Sequence, residues 1–278
     1  MQGIGVFDSG FGGLTILESL QEWMPELDFM YLGDNARTPY GEKSFDQVNQ
    51  YTKEAIDWLF EQGCPMVILA CNTASALALR NIQQIHLKQN YGAEKRVLGV
   101  VRPTTEIIGN YSKTNKIGLL GTAATIESNS YGIEVNKFFP QVSLYQEACP
   151  LWVPMIEEHT YNEASSKIQI QKNCEALLKK DEDIDTILLA CTHYPILLPI
   201  IEKVVPKDIR IVTQGDIVAK GLLEYLHRHP EIEKSISKNK NTAFYTTQTD
   251  IKKFKEKSTH FYKTISAVRH TNLDLNDT

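Results

Sequence analysis

The sequence predicts an α/β protein made of two similar parallel-sheet α/β domains that face each other across a cleft. Short apolar runs alternate with longer segments of helical periodicity, which is the pattern of parallel strands joined by helices. The chain has 278 residues, enough for two domains of ordinary size. Two pairs of segments at the ends of apolar runs are also similar in sequence, so the two domains are expected to resemble each other.

Seven apolar runs are predicted as buried strands, and the segments between them as helices that pack on the sheets. In the segments at 46–62 and 165–180, apolar side chains recur at helical spacing. Neighbouring strands that run in the same direction need a crossover connection, which such helices provide. The predicted strands lie at 4–7, 29–32, 66–70, 97–101, 117–121, 187–190 and 209–212.

Two pairs of similar segments indicate an internal duplication. Cys71 and Cys191 each follow an apolar run directly, and residues 5–10 and 118–123 each lead from an apolar run into a turn of small residues. The members of each pair fall in different halves of the chain. We therefore predict a first domain of residues 1–97 plus 209–278, which carries Cys71, and a second domain of residues 98–208, which carries Cys191.

Composition and charge favour a small-molecule ligand. The net charge is −5 at pH 7, whereas nucleic-acid binders usually have a basic surface, so no nucleic-acid partner is expected. The first residues lack the basic and apolar regions of a signal peptide, and no apolar run approaches the ~20 residues that span a bilayer. The five cysteines are odd in number and lack CxxC spacing, which favours reduced thiols. These features predict a cytoplasmic protein with no membrane partner.

Cys71 and Cys191 are the first candidates for chemistry. A cysteine after a buried strand is usually a small, inert core residue, and we expect that of the other three cysteines. Cys71 and Cys191 differ because polar residues follow each of them, Asn-Thr after the first and Thr-His after the second. A helix that begins there would also favour the thiolate form of the cysteine.

Three further features allow either a functional or a structural interpretation. Asp8 precedes a turn of small residues at 9–13, where backbone N–H groups could face a ligand anion, or it could simply cap the next helix. The polar loop at 33–41 could bind a ligand or be a plain turn. His193 could be an acid, a base or a structural residue. It forms a C-x-H pair with Cys191 that no second ligand motif completes, so no metal site is expected.

Five motifs resemble those of glutamate racemases, within the aspartate/glutamate racemase family, in the same order and spacing. The resemblance extends from the first strand to about residue 216, with a weaker similarity at 245–261. The five motifs are FDSGFGGL at 7–14, YLGDNARTPYG at 31–41, ACNTASA at 70–76, VPMIEE at 153–158 and ACTHYP at 190–195.

The resemblance implies which residues act on a substrate. Cys71 and Cys191 match the two catalytic cysteines, which exchange a Cα proton as an acid/base pair without a cofactor. Asp8, His193 and Glu157 match the residues that assist them, although the neighbouring Glu158 could exchange with Glu157. The implied substrate contacts are Asp8, Ser9, Tyr40, Gly41, Asn72, Thr73, Thr192 and His193.

The implied activity is the racemisation of L-glutamate to D-glutamate, which supplies D-glutamate for peptidoglycan and hence for the bacterial cell wall. Removing a proton from one face of Cα and returning one to the other requires two groups on opposite sides. The resemblance assigns Cys191 to L-glutamate and Cys71 to D-glutamate. We expect glutamate as the small-molecule partner and a homodimer as the assembly.

Other interpretations stay open at this point. A racemase for aspartate or another small acidic amino acid would have similar motifs, and a binding protein could keep the cleft without turnover. A metal hydrolase is a third class. The chain also departs from the family pattern at Arg102 and Thr104, and at Gln248, where effects on domain packing, subunit arrangement or regulation are expected.

Overall fold

Two parallel β-sheets with helices packed around them form the protein, as the sequence predicts. The computed structural model describes residues 2–92, 94–263, 265 and 267–273. Over these residues, the first sheet has six strands in the order β10-β9-β2-β1-β3-β4, and the second has four in the order β6-β5-β7-β8. The strands are Ile4–Asp8 (β1), Phe29–Gly33 (β2), Met66–Leu69 (β3), Arg96–Gly99 (β4), Lys116–Gly121 (β5), Ser143–Ala148 (β6), Thr186–Ala190 (β7), Arg210–Val212 (β8), Thr242–Thr246 (β9) and Val268–His270 (β10).

The helices begin and end close to the predicted positions. The helix predicted at 46–62 runs from Phe45 to Glu61, because Ser44 and Gln47 form a capping box just before it. The α-helices are Gly13–Trp23 (α1), Phe45–Glu61 (α2), Asn72–Leu77 (α3), Leu79–Asn81 (α4), Leu87–Asn90 (α5), Val101–Thr105 (α6), Ala123–Glu127 (α7), Ser130–Phe138 (α8), Trp152–Glu157 (α9), Ala164–Leu178 (α10), Leu198–Val204 (α11), Gly215–Arg228 (α12), Pro230–Glu233 (α13) and Ile251–Ser258 (α14). The 3₁₀ turns Tyr40–Glu42, Ile108–Tyr111 and Tyr194–Leu197 and the π-helical turn Ile82–His86 lie between them.

The two sheets repeat one strand order, which supports the predicted duplication. The order β2-β1-β3-β4 in the first sheet matches β6-β5-β7-β8 in the second, and β9 and β10 extend the first sheet beyond β2. In each sheet the direction of chain progression reverses between two central strands, β1 and β3 or β5 and β7. Open parallel sheets bind ligands at the carboxyl ends of the strands at such a reversal. Cys71 and Cys191 follow β3 and β7, so both lie at these positions.

The strands at both predicted domain boundaries pair differently from the prediction. The boundary at 97/98 divides β4, whose residues 96–99 all pair with β3 of the first sheet. The strand predicted at 209–212 was placed in the first domain, but β8 pairs with β7 in the second sheet. An apolar run of three or four residues predicts a strand without indicating which sheet it joins. The wider assignment of the chain to two domains stays a prediction.

Three strands were not predicted, and each has a weak apolar pattern. All six residues of β6 are half-buried, and β9 and β10 lie at the far edge of the first sheet. By contrast, all five residues of β1 are buried, because strands lie on both sides of it and helices cover both faces of the sheet. β6 and β10 mix polar with apolar residues, and β9 has an apolar stretch of only three residues, whereas the edge strands β4 and β8 are among the predicted ones. Within the described part of the chain, no helix is both long enough and apolar enough to span a membrane.

Candidate active site

A cavity of about 260 Å³ lies where the carboxyl ends of the two sheets meet. Each sheet contributes one cysteine to it. The first sheet and its loops contribute Asp8, Ser9, Tyr40, Gly41, Cys71, Asn72 and Thr73, and the second contributes Thr122, Cys191, Thr192 and His193. Every residue predicted to contact substrate therefore lines this cavity.

Cys71 is held at the start of α3 as a buried thiol. Its Sγ accepts a hydrogen bond from the N–H of Ala74 at 3.4 Å and lies 3.4 Å from Ser9 Oγ. The register of β1 against β3 brings Ser9 next to Cys71, because Phe7 pairs with Leu69. Burial raises the pKa of Cys71 to about 12, and the negative charge of Asp8 adds to the rise. Cys71 is therefore a thiol, a proton donor, in the resting site.

Cys191 lies beside an imidazole that is itself held by a carboxylate. His193 Nδ1 is 3.9 Å from Cys191 Sγ, and His193 Nε2 is 2.9 Å from Glu157 Oε1. Burial alone would lower the pKa of His193, but hydrogen bonds to Cys191 and Glu157 reverse this effect and raise it well above its usual value. A protonated imidazole would stabilise a thiolate on Cys191. The two thiols thus have opposite electrostatic surroundings.

The register of helix α9 gives the adjacent Glu157 and Glu158 different surroundings. Its register turns Glu157 inward to His193, where the side chain is buried. Glu158 points outward and pairs with Lys257 at 2.8 Å. Geometry therefore favours Glu157 over Glu158 as the residue that assists the histidine.

The turn after β1 packs directly on this histidine and glutamate, and its glycines allow the approach. A Cβ on Gly10 would lie 2.7 Å from Glu157 Oε1, and one on Gly12 would lie 2.5 Å from Thr192 Oγ1 and nearer still to His193. Both distances are below ordinary van der Waals contact. The glycines of the FDSGFGGL motif thus bring the first sheet against the Cys191 side of the site.

Asp8 connects the two sides of the cavity. Its Oδ2 accepts a hydrogen bond from the N–H of Gly10 at 2.8 Å, and its Oδ1 accepts one from Thr192 Oγ1 at 3.4 Å. Burial raises the pKa of Asp8 above its usual value, although the positive charge of His193 opposes the rise. Asp8 lies close to both Cys71 and His193, and it also accepts a backbone hydrogen bond from Gly13 at the start of α1. It therefore caps this helix and lines the cavity at the same time.

Several predicted substrate contacts have their polar groups already engaged. Thr73 Oγ1 lies 3.1 Å from Thr122 Oγ1 across the cleft. Tyr40 lines the cavity, but its hydroxyl donates to Asp34 Oδ2 at 2.5 Å, so its side-chain donor is not available to a ligand. Gly41 lies against Thr122, where a Cβ would be 3.0 Å from Thr122 Cβ. Tyr40 and Gly41 therefore line the site because their loop passes along it, and the Tyr40 hydroxyl takes no part in binding a ligand.

Sequence reasoning missed two groups of residues around the cavity. Thr122 caps α7 and lies in the segment 118–123 that resembles 5–10, so the internal similarity pointed to it. Gln214 and Tyr131 hold Asn72 from behind, at 2.7 Å and 2.5 Å. No sequence signal marks these two, because they are distant from Asn72 along the chain.

The remaining cysteines, Cys64, Cys149 and Cys174, are buried and do not line the cavity. Burial raises the pKa of Cys64 and of Cys174 to about 12. Across residues 2–92, 94–263, 265 and 267–273, no group of three or more histidine, cysteine, aspartate or glutamate side chains is arranged to hold a metal ion. The side chains that line the cavity supply two thiols, an imidazole and the carboxylate of Asp8 for proton transfer, and Glu157 contacts the imidazole from outside the lining.

The model of one protein family matches most of the chain. The family is described as Asp/Glu/hydantoin racemase, and the match covers residues 4–221. This span includes both cysteines and all the predicted site residues.

Curated relatives and solved structures agree with this match. A glutamate racemase of Koribacter versatilis is 39% identical over 80% of this chain and 74% of its own length. One of Chlorobaculum parvum is 36% identical over 84% of this chain and 82% of its own. A structure of a glutamate racemase from Bacillus anthracis has a TM-score of 0.87 at 30% identity, and one from Francisella tularensis, in complex with D-glutamate, has 0.85 at 31%. Each covers 98% of both chains. The predicted resemblance to glutamate racemases is confirmed.

Proposed function

This chain belongs to the Asp/Glu/hydantoin racemase family, and on that basis we propose that it interconverts L-glutamate and D-glutamate through Cys71 and Cys191. One observation carries the mechanism. A single cavity is lined by two thiols, one at the end of β3 and one at the end of β7. Two acid/base groups contributed by facing sheets are what inversion at Cα requires.

In the L-to-D direction, Cys191 accepts the Cα proton and Cys71 donates one to the opposite face. The raised pKa of Cys71 keeps its proton in place, and His193, held by Glu157, stabilises the thiolate of Cys191. In the D-to-L direction the roles are exchanged. Asp8 lies close enough to Cys71 to affect its charge state, and we propose it as the group that assists Cys71.

The carbanion formed at Cα is the step that demands most stabilisation. The Cα proton of an amino acid is far less acidic than a thiol, so neutral donors must stabilise charge as it develops. Ser9, Asn72, Thr73 and Thr192 line the cavity. Asn72 supplies an amide N–H for a substrate carboxylate, and the three hydroxyls do so when they turn away from Cys71, Thr122 and Asp8. Burial strengthens these interactions because little water competes. No cofactor is needed for this mechanism.

We further propose that the product serves peptidoglycan synthesis and that the protein works in the cytoplasm as a homodimer. Five free cysteines fit a reducing compartment. Light scattering on purified protein tests the assembly, and a monomer at all concentrations would contradict it.

Substrate choice is tested by following the optical rotation of L-glutamate and of L-aspartate with purified protein. The expected result is loss of rotation with glutamate and a much slower change with aspartate. Turnover of aspartate at an equal or greater rate would assign the protein to that substrate instead. If D-glutamate binds but neither enantiomer is racemised, the protein is a binding protein.

A further inference from the structure

Behind the cavity, three buried side chains form a closed ring of hydrogen bonds. Asn72 Nδ2 donates to Gln214 Oε1 at 2.7 Å, Gln214 Nε2 donates to Tyr131 OH at 2.8 Å, and Tyr131 OH donates to Asn72 Oδ1 at 2.5 Å. Each of the three residues is at most 3% exposed. Each residue donates one hydrogen bond within the ring and accepts one. Hydrogen bonds that run in the same direction in a buried environment strengthen one another.

Partners outside the ring fix its direction. Gln214 Nε2 also faces the carbonyl oxygen of Val100 at 3.3 Å and Thr104 Oγ1 at 2.9 Å. A carbonyl can only accept, and the Thr104 proton is already donated to that same carbonyl, so both groups require the amide nitrogen of Gln214 at this position. Gln214 Oε1 must then face Asn72, which presents its own nitrogen there and its oxygen to Tyr131.

The ring connects the two halves of the protein at the base of the cleft. Asn72 begins α3, which follows a strand of the first sheet, and Tyr131 lies in α8, which follows a strand of the second sheet. Gln214 directly precedes α12. Thr104, one of the departures from the family pattern, is part of the same cluster. The fixed orientation of the Asn72 amide therefore depends on residues from both halves.

We propose that Gln214 and Tyr131 are positioning residues, which lock the Asn72 amide so that its second N–H is presented to a carboxylate of the substrate. Among the described residues, Asn72 Nδ2 donates one hydrogen bond, to Gln214 Oε1, and Asn72 lines the cavity, so its second N–H is left for a ligand. The inference rests on the proposed function. It goes beyond that function by assigning Gln214 and Tyr131 a part in substrate affinity.

The physical reason is preorganisation. An amide that can rotate offers either its oxygen or its nitrogen to the cleft, and the oxygen would repel a carboxylate. The ring removes that alternative before substrate arrives, so binding does not have to order the side chain. Loss of the ring should weaken binding of both enantiomers and change the chemical step less, because neither Gln214 nor Tyr131 is among the residues that line the cavity.

A double-mutant cycle tests the proposal. KM and kcat for both enantiomers are measured for wild type, Gln214→Ala, Asn72→Ala and the double variant. Gln214→Ala alone is expected to raise KM about tenfold, equivalent to ~1.4 kcal/mol, with a smaller change in kcat. In the Asn72→Ala background the same substitution should change KM by less than about twofold, because the side chain it positions is gone.

Two results of this cycle would overturn the proposal. Gln214→Ala could raise KM by the same factor in the wild-type and Asn72→Ala backgrounds, or it could leave KM unchanged in the wild-type background. Tyr131→Phe removes only the hydroxyl and takes the place of Gln214→Ala in the cycle if that variant does not fold. If wild type binds D-glutamate without turnover, the proposed function fails, and the same cycle on the D-glutamate Kd, measured by calorimetry, decides the positioning role separately. If the wild-type protein neither binds nor racemises glutamate, both the proposed function and the positioning role are overturned.

Asn173 provides a matched control. It is a buried amide too, and its Oδ1 accepts hydrogen bonds from Trp152 Nε1 and Gln169 Nε2, both at 3.0 Å. It does not line the cavity. Asn173→Ala should lower the melting temperature and leave KM at the wild-type value. An equal rise of KM in Asn173→Ala would mean that general loosening of the fold, rather than the ring, sets affinity, and would overturn the assignment.

Discussion

At the scale of single residues, the two cavity cysteines have different surroundings although their local sequences are similar. Cys71 is a thiol whose pKa is raised by burial and by Asp8, and Cys191 faces the His193–Glu157 pair. This asymmetry supports our proposal that Cys191 accepts and Cys71 donates the proton when L-glutamate binds. Because one thiol is needed on each face of Cα, we expect that a single remaining thiol does not support racemisation.

Removal of either thiol should abolish racemisation. Cys71→Ala and Cys191→Ala are each expected to lower kcat at least ~10³-fold, within the range that a positioned acid or base contributes. Chiral chromatography of the glutamate product measures the loss. Cys64→Ala is the control, because Cys64 is equally buried but lies away from the cavity; it should keep most of the activity below its melting temperature. A near-wild-type rate in either cavity variant would contradict the assignment.

The ion pair between Glu157 and His193 should make stability depend on pH. The pKa of His193 is raised in the folded protein, so the pair's contribution is complete below the unfolded-state value of about 6.5 and is lost as pH rises through the folded-state pKa. Glu157→Gln is therefore expected to lower the free energy of unfolding by about 2 kcal/mol at pH 6, and by less at higher pH.

Urea unfolding at several pH values from 6 upward measures this difference. Glu158→Gln is the adjacent control, and its exposed pair with Lys257 should contribute little at any pH. A difference between wild type and Glu157→Gln that stays constant or grows with pH would show that His193 is not held protonated.

At the scale of elements, the turn between β1 and α1 determines how closely the two sides of the site approach. Gly12 has φ −58°, which any residue can adopt, so an added side chain would act only through its bulk. Gly12→Ala would place a Cβ about 2.5 Å from Thr192 Oγ1. Overpacking of this kind typically costs about 1–3 kcal/mol.

Gly12→Ala is accordingly expected to lower both stability and kcat, since it displaces Thr192 and His193 from the cavity. Chemical denaturation and the racemisation rate measure the two effects. Glu22→Ala, at the exposed end of the same helix, should change stability by no more than about 0.5 kcal/mol. Wild-type stability and rate in Gly12→Ala would mean that the sheets do not depend on this close approach.

The elements also show what sequence patterns can predict. Central strands such as β1 and β7 are buried on both faces, so their apolar runs identify them, and the residues that follow them mark the site. The edge strand β6 has no such run. The sequence also predicts the short strand β8, but no local pattern indicates its pairing with β7, which joins residues distant along the chain.

At the scale of the whole molecule, the site exists because one strand order occurs twice and the two copies face each other. The duplicated segments around Cys71 and Cys191 were visible in the sequence, and they predicted a cleft with one thiol from each half. The supporting contacts were not visible, because Gln214 lies 142 residues from Asn72 and Tyr131 lies 59 residues from it. Such partners depend on how the halves pack rather than on local sequence.

Racemisation of L-glutamate in deuterium oxide tests the two-thiol mechanism most directly. A thiol pair takes protium from L-glutamate on one face and returns solvent-derived deuterium on the other. Mass spectrometry early in the reaction should therefore find deuterium at Cα in the D-glutamate product, with the remaining L-glutamate still carrying protium. Product that retains the protium of its substrate, or deuterium that appears in L-glutamate as quickly as in D-glutamate, would contradict proton transfer between two separate thiols on opposite faces.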